Sequence, residues 1–460
     1  MTELHLLSAA ELSEGFAAGS LSPVEVTRAV IAQIERREPD LHALYAYDPD
    51  AALAQARASE ARWQAGAPLS PLDGVPGTLK ENIATVGCAM PAGTAATELV
   101  PAAEDAPPAA RWREAGLVLL AKTTMPDYGM LSSGLSSFHK LARNPWDLSK
   151  NPGGSSAGAG AAAAAGYGPL HVGTDIGGSV RLPAGWCGLV GLKPSAGRIP
   201  IKPSYAGRVA GPMTRTVRDC AWLMSVLARP DARDTTSLPP QAIRWLQLGR
   251  ELKGLRLGLQ LDAGWGDAPE PATRDAVVAA ARAFEAAGAI VTPLPAFCTR
   301  QMADGMDRFW RMRSWLDLQA LPPERQARVL PYIRDWVSTG ATLSAADVFT
   351  GYSQMAALRE AAVAAIQPVD FILSPTSPQA AAPAEWAGPT NDPARPFEHI
   401  AFTLPYNMSE QPAVSVNCGF TPDGLPIGLQ IAGHRHDDLG VLQLAAAWED
   451  LRGDAPRWPA

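Results

Sequence analysis

Between Asn151 and Thr174 the chain carries no Asp, Glu, Lys or Arg, and most of that stretch is Gly, Ala and Ser. Few structures can accommodate such a segment. Its length would suit a membrane span, but Ala and Gly give little transfer energy, and Pro152 and Pro169 interrupt it. It reads instead as protein interior, where side chains this small let neighbouring backbone approach closely. Next comes Gly173-Thr174-Asp175-Ile176-Gly177-Gly178-Ser179-Val180-Arg181, whose paired glycines can turn backbone N–H groups toward one point. A nest of that kind suits a developing oxyanion, and the Ser179 hydroxyl would sit beside it.

A chain of 460 residues with 47% apolar and 18% charged residues can bury a large core and reads as globular. Its formal net charge of −7, with no basic block, argues against a nucleic-acid partner. Cys88, Cys187, Cys220, Cys298 and Cys418 lie far apart without a CxxC pair. Scattered cysteines fit reduced thiols in a cytoplasm, and the start lacks the basic and apolar regions of a signal peptide. No HExxH or clustered Cys/His appears, so neither a metal nor another cofactor is expected.

Residues 1–65 read as helical. Ser8 to Glu11 and Ser22 to Glu25 each fit a capping box, the second with Pro23 at the first helical position. Amphipathic patterns run from Val24 to Arg37 and from Asp50 to Gln64. A Pro/Gly-rich passage, Pro68 to Gly77, then leads into Thr78-Leu79-Lys80, suitable for an interior strand. Leu117 to Leu120 is a short apolar strand, and Thr216 opens a helix through Cys220 to Ala228. Leu255–Gln260, Ala272–Ala287 and Ala289–Thr292 read as strand, helix and strand. Phe371–Leu373, Ala413–Asn417 and Ile427–Ile431 are further strands, and Leu439–Leu451 a closing helix. The alternation predicts an α/β fold, and no linker forces a cut, so residues 1–460 are expected to form one domain.

A serine nucleophile needs a base. None of the seven histidines has a context that recommends it: His171 lies in an apolar strand, and His434 and His436 flank Arg435 in a polar loop. Lysine can serve if burial keeps it neutral. Lys80, at the end of its apolar approach, qualifies on that ground alone, although an isolated lysine is ordinarily a surface residue.

Two segments decide the matter by resemblance. Gly74-Val-Pro-Gly-Thr-Leu-Lys80-Glu-Asn82, followed by Gly153-Gly-Ser155-Ser156 and the Gly173 to Arg181 run, resembles the amidase signature family. Lys122-Thr-Thr-Met125-Pro, Gly188 to Pro194, Gly211 to Thr216, Ser374 to Pro378 and Gly424 to Gln430 extend the likeness over nearly the whole chain. The resemblance implies the amidase signature fold, a central twisted mixed β-sheet covered by helices on both faces, with residues 66–220 as its core. It also implies a Ser–cis-Ser–Lys triad of Ser179 as nucleophile, Ser155 as relay after a cis peptide, and Lys80 as base. Backbone N–H groups of Ile176, Gly177, Gly178 and Ser179 would hold the oxyanion. Ser156, Thr174, Asp175 and Arg181 would support them, Ser156 by helix capping or hydrogen bonding and the Asp175–Arg181 pair as a loop clamp. The sequence departs from the family at Ala157, where many members have Gly, and at Thr124, where Asn is common.

In this family a variable region, here about 295–370 within the α/β remainder 221–460, supplies selectivity. It carries Met306, Phe309, Trp310, Met312 and Trp315 within one helix, while Met125, Tyr128 and Met130 follow the Lys122 strand. Core packing is the plain reading of these side chains. As pocket lining, Met125, Tyr128, Met130, Phe309, Trp310 and Trp315 would select a small apolar or aryl amide, ester or carbamate, including urethane-type bonds. Family members also include ureido-compound hydrolases and amidase-type components of multi-subunit amidotransferases. Nothing here demands partner proteins; the expected partners are the small-molecule substrate and, in a homodimer, a second copy of the chain.

Three rival readings fall short. Gly154-Ser155-Ser156-Ala157-Gly158 satisfies G-x-S-x-G, but the preceding Asp147 to Pro152 is polar and proline-broken, not the strand a nucleophile elbow requires. Gly158 to Ala163 mimics a dinucleotide fingerprint, yet its acidic partner would be Asp175, inside the nucleophile loop. A non-catalytic scaffold would not need Lys80, Ser155 and Ser179 intact.

Overall fold

A computed structural model describes residues 3–453 and 458–459. One eleven-stranded sheet runs through it: β1 (Leu44–Tyr45), β2 (Pro76–Lys80), β3 (Val118–Thr123), β4 (Leu170–Asp175), β5 (Val190–Lys193), β6 (Val209–Thr214), β7 (Arg256–Leu259), β8 (Ile290–Pro293), β9 (Phe371–Pro375), β10 (Ala413–Phe420) and β11 (Pro426–Gly433). Their spatial order is β1-β3-β2-β4-β6-β5-β10-β11-β9-β7-β8. The sheet is mixed. β2 runs parallel to β3 and β4, and β7 parallel to β8 and β9, while the pairs between β4 and β9 are antiparallel. Parallel neighbours need crossovers: helix Pro107–Glu114 lies between β2 and β3 in the chain, and Pro271–Ala286 between β7 and β8.

Strand periodicity sends alternate side chains to two cores. Leu170 and Val172 of β4 join Leu192, Val414 and Ile431 beneath helices Ala9–Ala17, Val217–Leu227, Pro271–Ala286 and Asp438–Arg452. Gly173, out of phase with them, faces the other side, where a Cβ would lie 2.6 Å from Ser156 Oγ. Helices Ala157–Ala164 and Arg181–Cys187 cover that side, their alanines packed with Val180 and Met213.

The charge-free segment forms the wholly buried helix Ala157–Ala164 and the loop into β4. Its small residues are required by distance. A Cβ on Gly158 would come within 2.1 Å of the Ala43 carbonyl and 2.5 Å of the Thr124 nitrogen. Among the described residues, no helix is long and apolar enough to cross a membrane.

The N-terminal helices form at Ala9–Ala17, Pro23–Leu41 and Pro49–Gln64. Ser8 and Glu11 make the reciprocal capping box. Ser22 accepts from the Val24 and Glu25 N–H groups and its hydroxyl donates to Glu60, and the return bond from the Ser22 N–H to Glu25 that would complete a second reciprocal box is not made.

Candidate active site

β2 ends at Lys80, and the β4-to-helix turn holds Ser179; Ser155 and Ser156 open the small-residue helix behind them. The adjacency of β2 and β4 brings these segments together. Lys80 is fully buried, and its Nζ is hydrogen-bonded to Ser155 Oγ at 2.8 Å and Ser156 Oγ at 3.1 Å. The Gly154–Ser155 peptide is cis. Burial pulls the Lys80 pKa down to about 7, and the nearby Arg208 guanidinium pushes the same way against Glu81 and Asp175. Glu81 is itself engaged, with His139 Nε2 at 2.5 Å and the Gly93 N–H.

Ser156 opens its helix without a side-chain cap. Its hydroxyl accepts from the Thr174 N–H at 3.3 Å and donates to the Thr174 carbonyl at 3.2 Å, while its own N–H donates to the Ser179 carbonyl at 3.2 Å. The capping role is thereby replaced by one of tying the helix start to the Ser179 loop. Thr174 Oγ1 accepts from Asn82 Nδ2 at 3.1 Å, joining the loop to the end of β2.

The Ser179 loop is clamped from beneath. Arg181 meets Asp175 through Nε at 3.1 Å and Nη2 at 3.0 Å, with both side chains fully buried. A buried pair needs further partners to offset desolvation. Arg181 also donates to Gln430 Oε1 at 2.7 Å, Asn407 Oδ1 at 2.6 Å and the Thr403 carbonyl at 2.9 Å. Burial works to raise the Asp175 pKa, but Arg181, Asn407 and the Val180 N–H hold it well below the usual carboxylate range.

The clamp corrects one expectation. The Gly178 N–H donates to Asp175 Oδ1 at 2.8 Å, so that member of the expected donor set is already engaged. Ile176, Gly177 and Ser179 are left from the expected donor set. Gly178 has φ +124°, and a Cβ there would fall 2.6 Å from Thr403 Oγ1, which donates to the Gly177 carbonyl at 2.6 Å.

Ser179 opens on a narrow cavity of about 40 Å³, with Met130, Leu131, Leu182, Trp310, Phe397 and Ile400 forming its apolar wall. Of the expected pocket residues, Met130 and Trp310 line it. Tyr128 lines the adjoining cavity with Met130 and Arg313. Met125 is buried behind Gly129, Phe309 packs tilted against Tyr352 with ring centroids 5.4 Å apart, and Trp315 packs against Gly340; none of the three is in the wall of the Ser179 cavity. Helical phase explains the split. Trp310 and Arg313, three apart on helix Arg300–Gln319, share the cavity face, while Phe309 and Trp315 point elsewhere.

Several site residues carried no motif. Phe397 and Ile400 arrive from a segment far along the chain, and Ser132 lines the cavity hydrogen-bonded to His399 Nε2 at 2.7 Å. Burial drops the His399 pKa to about 3, and its Nδ1 has no partner among the described residues. A Ser–His base needs an orienting acceptor on that second nitrogen. His171 is engaged with Thr78 Oγ1 at 2.8 Å and the Gly168 carbonyl, away from the cavity.

The family model described as Amidase matches residues 25–442. A glutamyl-tRNA(Gln) amidotransferase subunit of Myxococcus xanthus is 38% identical, covering 98% of this chain and 97% of that protein. An acylamidase of Rhodococcus erythropolis is 34% identical over 100% of this chain and 99% of its own length. A bacterial aryl acylamidase of the amidase signature family superposes with TM-score 0.89 at 30% identity, covering 98% and 97% of the two chains. The chain belongs to the amidase family, and its fold is that of amidase signature enzymes. It is an amidohydrolase.

Proposed function

We propose that the chain hydrolyses the C–N bond of small apolar or aryl amides through an acyl group on Ser179. The observation that carries this reading is the buried Lys80 amine, 2.8 Å from Ser155 Oγ and held to a pKa of about 7. Neutral Lys80 accepts the Ser155 proton as Ser155 takes the proton of Ser179, and Ser179 Oγ attacks the carbonyl carbon. The N–H groups of Ile176, Gly177 and Ser179 face the oxyanion. Its collapse breaks the C–N bond, Ser155 returns a proton to the leaving nitrogen, and water then releases the acid by the same relay.

An apolar wall beside Ser179 supports an apolar acyl or aryl group, as do relatives named acylamidase and aryl acylamidase. Carbamates, urethanes included, and esters present the same electrophile and belong to the reading. A second reading, an amidase-type component of an amidotransferase, draws on the name of the Myxococcus relative.

A panel of anilides, primary amides and carbamates tests both. The purified chain alone should hydrolyse anilides, and Ser179→Ala should not. Turnover of ureido compounds only, or none without added partner proteins, would overturn the stand-alone reading.

A further inference from the structure

Among the described residues, Arg313 is the one charged side chain in the wall of the Ser179 cavity. It sits on helix Arg300–Gln319, where Arg300 pairs with Glu398 at 2.7 Å and Arg311 with Asp307 at 2.7 Å, while Arg308, outside the cavity wall, makes no ion pair among the described residues. Arg313 has no carboxylate within ion-pairing distance among the described residues. Asp317, one turn on, lines the adjoining cavity with it but makes no such pair.

What Arg313 does touch is Tyr205, its guanidinium carbon 5.0 Å from the ring centroid. Arg208 lies over the same ring at 5.2 Å, so two guanidiniums bracket one aromatic beside the cavity. Arg208 donates to the Pro203 and Asn82 carbonyls, which are neutral acceptors. Two guanidiniums therefore stand here with no carboxylate in ion-pairing distance of either among the described residues, and burial first, then Arg313, hold the Arg208 pKa down against Tyr205 and Asp234. Stacking uses the guanidinium face and leaves its edge N–H donors for an acceptor in the plane. A planar oxyanion is the group that fits such a fork.

We infer that Arg313 is a specificity-determining residue, binding a carboxylate at the end of an otherwise apolar amide substrate. This rests on the proposed amide hydrolysis at Ser179 and names its substrate class: monoamides of dicarboxylic acids, or amides whose amine part carries a carboxylate. The apolar wall takes the body of such a molecule, and Arg313 takes its charge.

Calorimetry on the full-length Ser179→Ala protein separates binding from turnover. The ligands are succinanilic acid, with its carboxylate on the acyl side, 4-butyramidobenzoic acid, with it on the amine side, and neutral butyranilide. At least one carboxylated ligand should bind about ten- to a hundredfold tighter than butyranilide. That margin should vanish in Ser179→Ala/Arg313→Leu and return in part with Arg313→Lys, while butyranilide affinity shifts by much less than the margin itself. Equal binding of all three ligands, or a margin that survives loss of Arg313, overturns the inference. Failure of the amidase reading shows differently: the native chain would not hydrolyse the anilides, or Ser179→Ala would still do so, whatever Arg313 binds.

Discussion

Lys80 Nζ lies 2.8 Å from Ser155 Oγ in a place that water hardly reaches, Lys80 being fully buried and Ser155 4% exposed. An ammonium there would lose its hydration with Arg208 nearby and only Glu81 and Asp175 to compensate. The pair is thus built for an amine that spends part of its time unprotonated near neutral pH.

Activity should therefore follow the free amine. The proton leaves Lys80 as pH rises through about 7, so kcat/KM for a neutral anilide should climb across that range and level off above it. A pH–rate profile checks this; a fall in activity across the same range would reverse the sign.

Ser155→Ala removes the only hydroxyl proposed to connect base and nucleophile. About 10²–10⁴-fold should be lost from kcat, the usual worth of a positioned acid–base group. Ser156→Ala should cost less, because that hydroxyl mainly ties Thr174 to the helix start. Steady-state kinetics on both variants gives the order.

Asp175→Ala leaves the Arg181 guanidinium buried without its counter-charge. Breaking one partner of a buried pair costs about 3–5 kcal/mol, and the Gly178 and Val180 N–H groups lose the carboxylate they share. Thermal unfolding should show a lower Tm, and anilide turnover should fall because the loop carrying Ser179 is no longer held.

Gly158→Ala tests the close packing of the small-residue helix. Its added methyl meets the Ala43 carbonyl and Thr124 nitrogen, both backbone atoms that cannot swing aside. Overpacking of this kind costs about 1–3 kcal/mol, measurable by denaturant unfolding, with Gly249→Ala a control where nothing lies within 4 Å.

His399→Gln should keep kcat/KM within an order of magnitude, since an amide can still hydrogen-bond Ser132 but cannot act as a base. Collapse of activity in this variant, with folding intact, would favour a histidine mechanism.

The residues that resemble the family are legible because they are local and contiguous. Lys80, Ser155 and Ser179 each sit in a run where glycine and small side chains are demanded by backbone approach, and that demand leaves a mark in the sequence. Gly178 is the opposite case: a glycine doublet says that N–H groups can converge, not which of them an aspartate three residues earlier will take. Strands such as β4 and β11 are visible from apolar runs, whereas the two-residue β1 has no pattern to read. Pocket residues are the least legible. Phe397, Ile400 and Arg313 reach Ser179 through tertiary packing alone, and aromatic content in helix Arg300–Gln319 does not reveal which phase faces the cavity. Gln430 lies inside a matched segment, but its partner Arg181 is brought to it only by β11.

Covalent labelling with a fluorophosphonate, mapped by mass spectrometry, tests the central proposal most directly. The probe should attach to Ser179 in the native chain and do so far more slowly in Lys80→Ala. Attachment at Ser132, Ser156 or any other residue, or undiminished labelling without the Lys80 amine, would contradict it.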